Sequence, residues 1–469
     1  MPTQCTPDQL RFEGFKGRQV VGDFAGGAIT SNGGAVLLRE ADRAIGLSRR
    51  IAACFVDHRR QDSIVHRLET LVAQRVFAIA LGYEDINDHD DLRHDPALAL
   101  ICDTLKPKRA GVAPLAGKST LNRLEHGLRN TAATSRYHKI SFDEAAFEQI
   151  FLAIYVAAHK RQPKRIILDF DATDDPVHGR QEGRFFHGYY RCYCYLPLYI
   201  FDGRHLLAAK LRRASIDASA GAREEAQRIV EHLRKAWPET EIWLRADSGF
   251  CRDELMTWCE ENSVEYVFGL ARNKRLQTMI ADAQAEAEAE HARTNEPARV
   301  FKDLSYRTLK SWSAERRVVA KAEHLAKGAN PRFVVTSLKG EAFPAKELYE
   351  DVYCARGEME NRIKECQLDL YADRTSAATM RANQLRLWFA ALAYTLLEAV
   401  RRLALEDTEM ANATAGSIRL RLLKIGAVVT VSVRRIRFAF ATACPARQLF
   451  ALAAGRLRAL NAPPDTIAA

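Results

Sequence analysis

The hydrophobic pattern of the chain changes period near residue 160. Before it, SNGGAVLLREADRAIG, DSIVHRLETLVAQRVFAIALG and STLNRLEHGLR each carry apolar residues three and four positions apart, the spacing that lines one face of a helix. Ser119 or Thr120 is placed to cap the last of these. Residues 1–160 are therefore predicted to be mainly helical. From Arg165 short apolar runs take over: RIILDFDAT, then YYRCYCYLPLYIF and RHLLAAKLRRA joined by Asp202 and Gly203, which is a hairpin signal. A helix (AREEAQRIVEHLRKAW), a strand (EIWLRAD), a helix (RDELMTWCEEN) and a strand (VEYVFGL) follow. Periodicity alone places this stretch in the α/β class.

Beyond Leu270 the alternation is interrupted. Residues 273–345 open with an acidic, alanine-rich helix (ADAQAEAEAEHA) and continue with strand-like pieces, VFKDLSYRTL, RRVVAKAEH and PRFVVTSL, a pattern that reads as an inserted, mostly β subdomain. Residues 346–405 return to helical spacing and hold YCARGEMENRIKE. LWFAALAYTLLEAV within them is about 14 residues long, too short to span a bilayer, and reads as a buried core helix. Residues 406–469 form a basic C-terminal region. From Ala411 to Pro464 it contains Arg419, Arg421, Lys424, Arg434, Arg435, Arg437, Arg447, Arg456 and Arg458 and no acid. In VVTVSVRRIRFAFAT the alternation predicts a strand with Arg435 and Arg437 on one face.

Composition adds a partner class. Hydrophobic residues make up 47% of the 469 and charged residues 27%, the balance of a folded globular protein. A formal charge of +10 and a pI near 9.1 favour a polyanion, because clustered lysine and arginine release counterions from phosphates. Arg123, Arg129, Arg136 and Lys139 suit a DNA-facing helical module, although solvated helix faces look the same. Ten scattered cysteines include no C-x-x-C pair and no zinc spacing, so reduced thiols and a cytoplasmic compartment are expected. No basic segment followed by an apolar run opens the chain, which argues against secretion, and no membrane partner is expected.

The candidate chemistry lies in three acids. Asp171 ends the run IILDFD, Asp247 ends IWLRAD, and Glu360 lies in the helix-like YCARGEMENRIKE. Hydrolysis or transfer of a phosphodiester needs an activated oxygen nucleophile and a stabilised leaving oxygen, which two divalent ions roughly 3.5–4 Å apart supply together. Magnesium takes oxygen ligands and keeps waters, so a few carboxylates suffice. Asp169, Asp171, Asp174 and Asp175 crowd one segment, and alternation puts Asp169 and Asp171 on the same strand face, with Asp171 nearer the exit.

At these motifs the chain resembles a bacterial insertion-sequence transposase of the DDE class. The resemblance rests on LDFDATDDPVHGRQEG around the first acid, RADSGF around the second, and Tyr353, Arg356 and Glu360 in a Y-x-x-R-x-x-x-E pattern. ENRIKECQLDLYADRTS is similar to the branch numbered 1380, and the likeness extends to ALGYEDINDHDDLRHDP and LRLLKIGA. The implied architecture is α/β: a ribonuclease H-like catalytic core in residues 161–272 and 346–405, a β-rich insertion, a helical end-recognition region before it and a basic region after it. The resemblance implies Asp171, Asp247 and Glu360 as catalytic ligands of two Mg2+ ions, with Mn2+ able to stand in. Tyr353 and Arg356 would position the DNA end, arginine being suited to bidentate phosphate contact. Related groups carry a lysine seven positions after the glutamate, where this chain has Gln367; Lys364, one helical turn from Glu360, is the candidate substitute. Trp312 in the insertion is a candidate for stacking on an unpaired base, with a core tryptophan as the alternative. The implied partners are terminal inverted repeats and target DNA, held by a homodimer in the DNA complex, in cut-and-paste transposition. A nuclease without strand transfer and a domesticated DNA-binding protein are the alternatives.

Overall fold

The computed structural model describes residues 9–106, 110–127 and 135–462; Arg129 and Cys5 lie outside them. The chain divides into two compact units, Met1–Ala44, Arg60–Asn122 and Ala399–Ala469 forming the first and Ile45–Arg59 and Arg123–Glu398 the second.

The second unit is built on one mixed sheet. Its strands are β1 (Arg165–Ala172), β2 (Leu198–Asp202), β3 (His205–Lys210), β4 (Glu241–Ala246), β5 (Glu265–Leu270), β6 (Ala298–Tyr306), β7 (Arg316–Leu325) and β8 (Arg332–Thr336). They lie in the order β3-β2-β1-β4-β5-β8-β7-β6, with the short piece Gly328–Ala329 paired to β7. β1, β4 and β5 run parallel, and β2 and β3 are antiparallel on one side. On the other side β8, β7 and β6 continue the same sheet by antiparallel pairing. The segment 273–345, expected as an inserted, mostly β subdomain, supplies strands that extend the central sheet, because the free edge of β5 is paired by β8.

The two faces of this sheet differ in what covers them. Ile166, Leu168 and Phe170 of β1 join Ile242, Leu244 and Ala246 of β4 in a core with α1 (Glu144–Ala158), α2 (Ala222–Ala236), α3 (Asp253–Glu261) and α4 (Ala281–Thr294). On the opposite face Ile167, Trp243, Val267, Val319 and Val334 pack on Leu348, Tyr349, Val352 and Tyr353. That second covering segment is irregular. Leu348–Tyr353 is wound as a π-helix, Cys354–Arg356 as a 3-10 turn, α5 (Gly357–Lys364) as an α-helix and Glu365–Asp369 again as π. π-type turns inside helices occur often at functional sites, because they change which side chains share a face. The long helix α6 (Met380–Ala404) follows; its Trp388 stacks on Phe147 of α1, ring centroids 4.9 Å apart.

One predicted strand is two. YYRCYCYLPLYIF breaks at Leu196 and Pro197: Cys192–Tyr195 pairs with Asp175–Pro176 and Phe185–His187 in a small separate sheet, and only Leu198–Asp202 enters the main one. Proline has no N–H to give a ladder, which allows the change of sheet there.

The first unit pairs an early segment with a late one. Ile29–Thr30 pairs with Ala427–Val431, and a Cβ on Gly34 would stand 1.8 Å from the Leu422 carbonyl oxygen, so only glycine permits this approach. The helix expected at STLNRLEH begins at Lys118, whose N–H donates to Asp90 Oδ1 at 3.0 Å; Ser119 and Thr120 therefore lie inside its first turn and do not cap it. VVTVSVRRIRFAFAT is a hairpin of Ala427–Val431 and Ile436–Phe440 rather than one strand. Ser432 and Arg435 bond each other across its turn, so Arg435 and Arg437 do not share a strand face. Three of the basic residues expected to face phosphate are engaged within the protein: buried Arg419 donates to the Ala80 carbonyl, Lys424 to Asn32 Oδ1, and Arg456 to the carbonyls of Ala404 and Glu406. Among the described residues the cysteines are unbridged, and no helix is long and apolar enough to cross a membrane.

Candidate active site

Strand register brings the first two acids together. Ala246 of β4 lies opposite Phe170 of β1 in the parallel ladder, so one further step sets Asp247 beside Asp171, on neighbouring strands about 4.8 Å apart. Asp247 leaves the sheet there and opens the turn Ser248–Phe250, its Oδ1 accepting from the Gly249 N–H at 2.8 Å. Asp171 Oδ1 accepts from the Ala172 N–H at 3.0 Å. Each carboxylate is thus oriented by local backbone.

The third acid reaches them through an arginine. Arg356 precedes Glu360 by one helical turn and donates from Nη2 to Glu360 Oε1 at 3.0 Å, while its Nη1 lies 3.7 Å from Asp171 Oδ2. Asp171, Asp247 and Glu360 all act electrostatically on this guanidinium. Burial pushes the Asp171 carboxyl up to about 7; Arg356 opposes the rise, and the charges of Asp247 and Glu360 add to it. Bringing three like charges together under partial burial is unfavourable without a cation.

Carboxylate oxygens alone make up this donor set, which suits a hard divalent cation, and the arginine marks a place where the fold already favours positive charge. Among the described residues, however, no three His, Cys, Asp or Glu side chains stand close enough to hold an ion as they are. Glu360 Oε1 is turned to Arg356.

Asp169 is not a competitor for the role. It is buried, and Arg245 grips it with two bonds, Nε to Oδ1 at 2.5 Å and Nη2 to Oδ2 at 2.8 Å. The third nitrogen of Arg245 donates to the Val352 carbonyl at 2.5 Å, tying the strands under the acids to the turn that carries Tyr353. Asp175 is buried too, with Oδ1 accepting from the Thr375 hydroxyl at 3.1 Å and Oδ2 without a partner. Burial raises its carboxyl well above the usual range; Thr375 works against the rise, and Asp373 and Asp174 work with it. The folded chain therefore holds this proton more tightly than the unfolded chain does. Stability contributed here falls as pH climbs from the unfolded value, near 3.8, toward the folded one. Melting curves of Asp175→Asn should match wild type near pH 4 and show a growing gain in melting temperature up to pH 8; an equal offset at both ends would dismiss the buried proton.

Tyr353 has its place from a residue whose importance the sequence does not signal. A Cβ on Gly269 of β5 would lie 2.5 Å from the Tyr353 hydroxyl, 2.9 Å from the Ser248 nitrogen and 3.2 Å from the Asp247 carbonyl carbon. The missing side chain is the space in which the tyrosine hydroxyl meets the Asp247 turn.

The other expected residues diverge. Lys364 is exposed one turn beyond Glu360. Gln367 donates from Nε2 to the Asp174 carbonyl at 3.0 Å, so the residue standing in the lysine's place braces the loop that follows Asp171. Trp312 is only 5% exposed, its ring 5.6 Å from that of Tyr306 and 5.6 Å from the Arg316 guanidinium. It is a core residue, and base stacking is not available to it. The pairing of Asp169 with Arg245 had a usable signal, since strand alternation puts both two residues behind the acids on the same face; Gly269 had none.

The family model for the transposase DDE domain group 1 matches residues 12–462. The chain belongs to this family. In this DDE transposase-family chain Asp171 lies in β1 and Asp247 follows β4, two neighbouring parallel strands, and Arg356 pairs with Asp171 and Glu360. No curated protein matches the chain. Among solved structures it is similar to a piggyBac transposase synaptic complex with hairpin DNA, at 10% identity and a TM-score of 0.42, over 92% of this chain and 83% of that one.

Proposed function

We propose that the protein is a DDE transposase that cuts DNA at the ends of an insertion sequence of the branch numbered 1380 and joins them to a target, by phosphodiester hydrolysis and strand transfer. The observation that carries this reading is that Asp171 and Asp247 lie at the ends of neighbouring parallel strands, with the arginine that pairs with Asp171 and Glu360 also under the charge of Asp247. The order β3-β2-β1-β4-β5, with β1, β4 and β5 parallel, supports a ribonuclease H-like core.

In this reading Asp171, Asp247 and Glu360 hold divalent cations, Mg2+ or Mn2+. Those ions would supply Lewis acidity toward the attacking oxygen and the leaving oxygen. Arg356, once released from Glu360, offers a planar pair of donors to a phosphate of the DNA end. Tyr353 orients the same strand through its hydroxyl beside Asp247. Arg245 and Asp169 hold the floor of the site rigid against the turn at Val352. Because each step is an in-line displacement at phosphorus, one set of residues serves both cutting and joining. Two ends must be brought together, so the working form is a homodimer on DNA.

The test is incubation of a labelled DNA carrying the gene's own flanking ends with the protein and Mg2+, with a second DNA as target. Discrete cuts at both ends followed by joined product are expected. Cuts without joining would reduce the activity to that of a nuclease, and specific end binding with no cut would leave a DNA-binding protein.

A further inference from the structure

The small sheet between β1 and β2 has no part in the site as described, yet it stands against it. Its hairpin, Phe185–His187 and Cys192–Tyr195, turns its inner side to the core: Cys194 packs with Leu196 and Ala214, and Ala172, Tyr190 and Cys192 lie against them. Ala172 is the neighbour of Asp171, and the Tyr190 hydroxyl is close enough to feel the charges of Asp174, Asp171 and Asp247. The hairpin is therefore anchored beside the acids.

Its outer side is aromatic and open. Phe186 and Tyr193 are cross-strand partners with ring centroids 5.4 Å apart, 49% and 47% exposed, and Tyr189 at the tip is 83% exposed. Arg184 lies over the Tyr193 ring at 4.6 Å. From Arg184 to Tyr195 the chain reads RFFHGYYRCYCY, which has two arginines and no acid. Arg191 is exposed at the turn, held at φ 57° with its N–H donating to the His187 carbonyl.

We propose that this hairpin is a base-stacking platform that takes an unpaired DNA base next to the phosphate being cut. The proposal rests on the phosphodiester reading of the acid site and adds a substrate feature to it. Half-exposed and exposed rings beside Arg184 and Arg191, in a segment with no acid of its own, are complementary to a flat base on an anionic backbone. Bases inside a duplex offer no free face, so the platform selects DNA opened at the cut. The buried Trp312 cannot provide that surface; Tyr189, Phe186 and Tyr193 can.

The test uses the full chain with Phe186→Ala/Tyr193→Ala together, and Tyr189→Ala separately. Two probes are needed: labelled DNA ends, fully paired or mispaired at the nucleotides flanking the cut, and a labelled twelve-residue oligothymidylate. On paired ends the variants should cut roughly 5- to 150-fold more slowly, the worth of one stacked base, with duplex-end binding and melting temperature retained. Mispaired ends should recover most of that loss, since the strand is already open, and oligothymidylate binding should weaken by a similar factor. Equal loss on paired and mispaired ends, or unchanged cutting and oligothymidylate binding, would overturn the platform. If wild type cuts no DNA the phosphodiester reading fails by itself, and oligothymidylate binding still decides the platform.

Discussion

Asp171→Asn should abolish DNA cleavage while making the metal-free protein more stable. The activity loss is expected to be roughly a thousandfold or more, beyond the 10–100-fold typical of residues that only support a metal ligand. The stability gain follows from the environment: Asp171 is largely buried, and the charges of Asp247 and Glu360 together with burial outweigh the help from Arg356. Amide for carboxylate removes the repulsion and keeps the shape. Asp169→Asn, two residues earlier on the same strand face, should lower stability: burial raises that carboxyl too, but the change breaks the buried two-bond grip of Arg245 and leaves a guanidinium short of its counter-charge. Melting temperatures in EDTA at pH 8 and single-turnover cleavage with Mg2+ measure both. A fall of several degrees for Asp171→Asn, or retained cleavage, would remove it from the site.

Gly269→Ala should cost about a hundredfold in cleavage with little change in affinity for the DNA end, the size of loss expected when a reacting group is misplaced by about 1 Å. The added methyl would stand 2.5 Å from the Tyr353 hydroxyl and 2.9 Å from the Ser248 nitrogen, and the second contact is backbone that cannot swing away. Tyr353 and the turn carrying Asp247 must therefore move apart. Combining it with Tyr353→Phe removes the nearer clash, so the double variant should lose less than the product of the two single losses. Single-turnover rates at saturating DNA give the comparison. Full multiplicativity, or Gly269→Ala within twofold of wild type, would show that the close approach has no bearing on the chemistry.

Much of the local order was legible in the sequence. Alternation in RIILDFD and EIWLRAD puts Asp169 with Asp171, and Arg245 with Asp247, on one face of their strands, and the two runs are indeed neighbouring parallel strands. Asp169 and Asp171 have the same periodicity; the sequence favoured Asp171 by its place nearer the strand exit, and the arginine that a neighbouring strand supplies gives Asp169 a partner of its own. Pattern also misjudged continuity: the run through Pro197 crosses from one sheet to another, the run through Ser432 folds back on itself, and the pieces after residue 273 complete a sheet begun at residue 165.

The sequence by itself determined the element types, the basic balance and the three acidic positions with their motifs, because propensity, charge and strand alternation act over a few neighbouring residues. Only the tertiary structure decided that Arg356 stands among the acids, that Gln367 braces the Asp174 loop, that Trp312 is core and that Gly269 leaves room for Tyr353. Each of these depends on the distance between segments far apart in the chain, which strand pairing and packing set and no local pattern encodes.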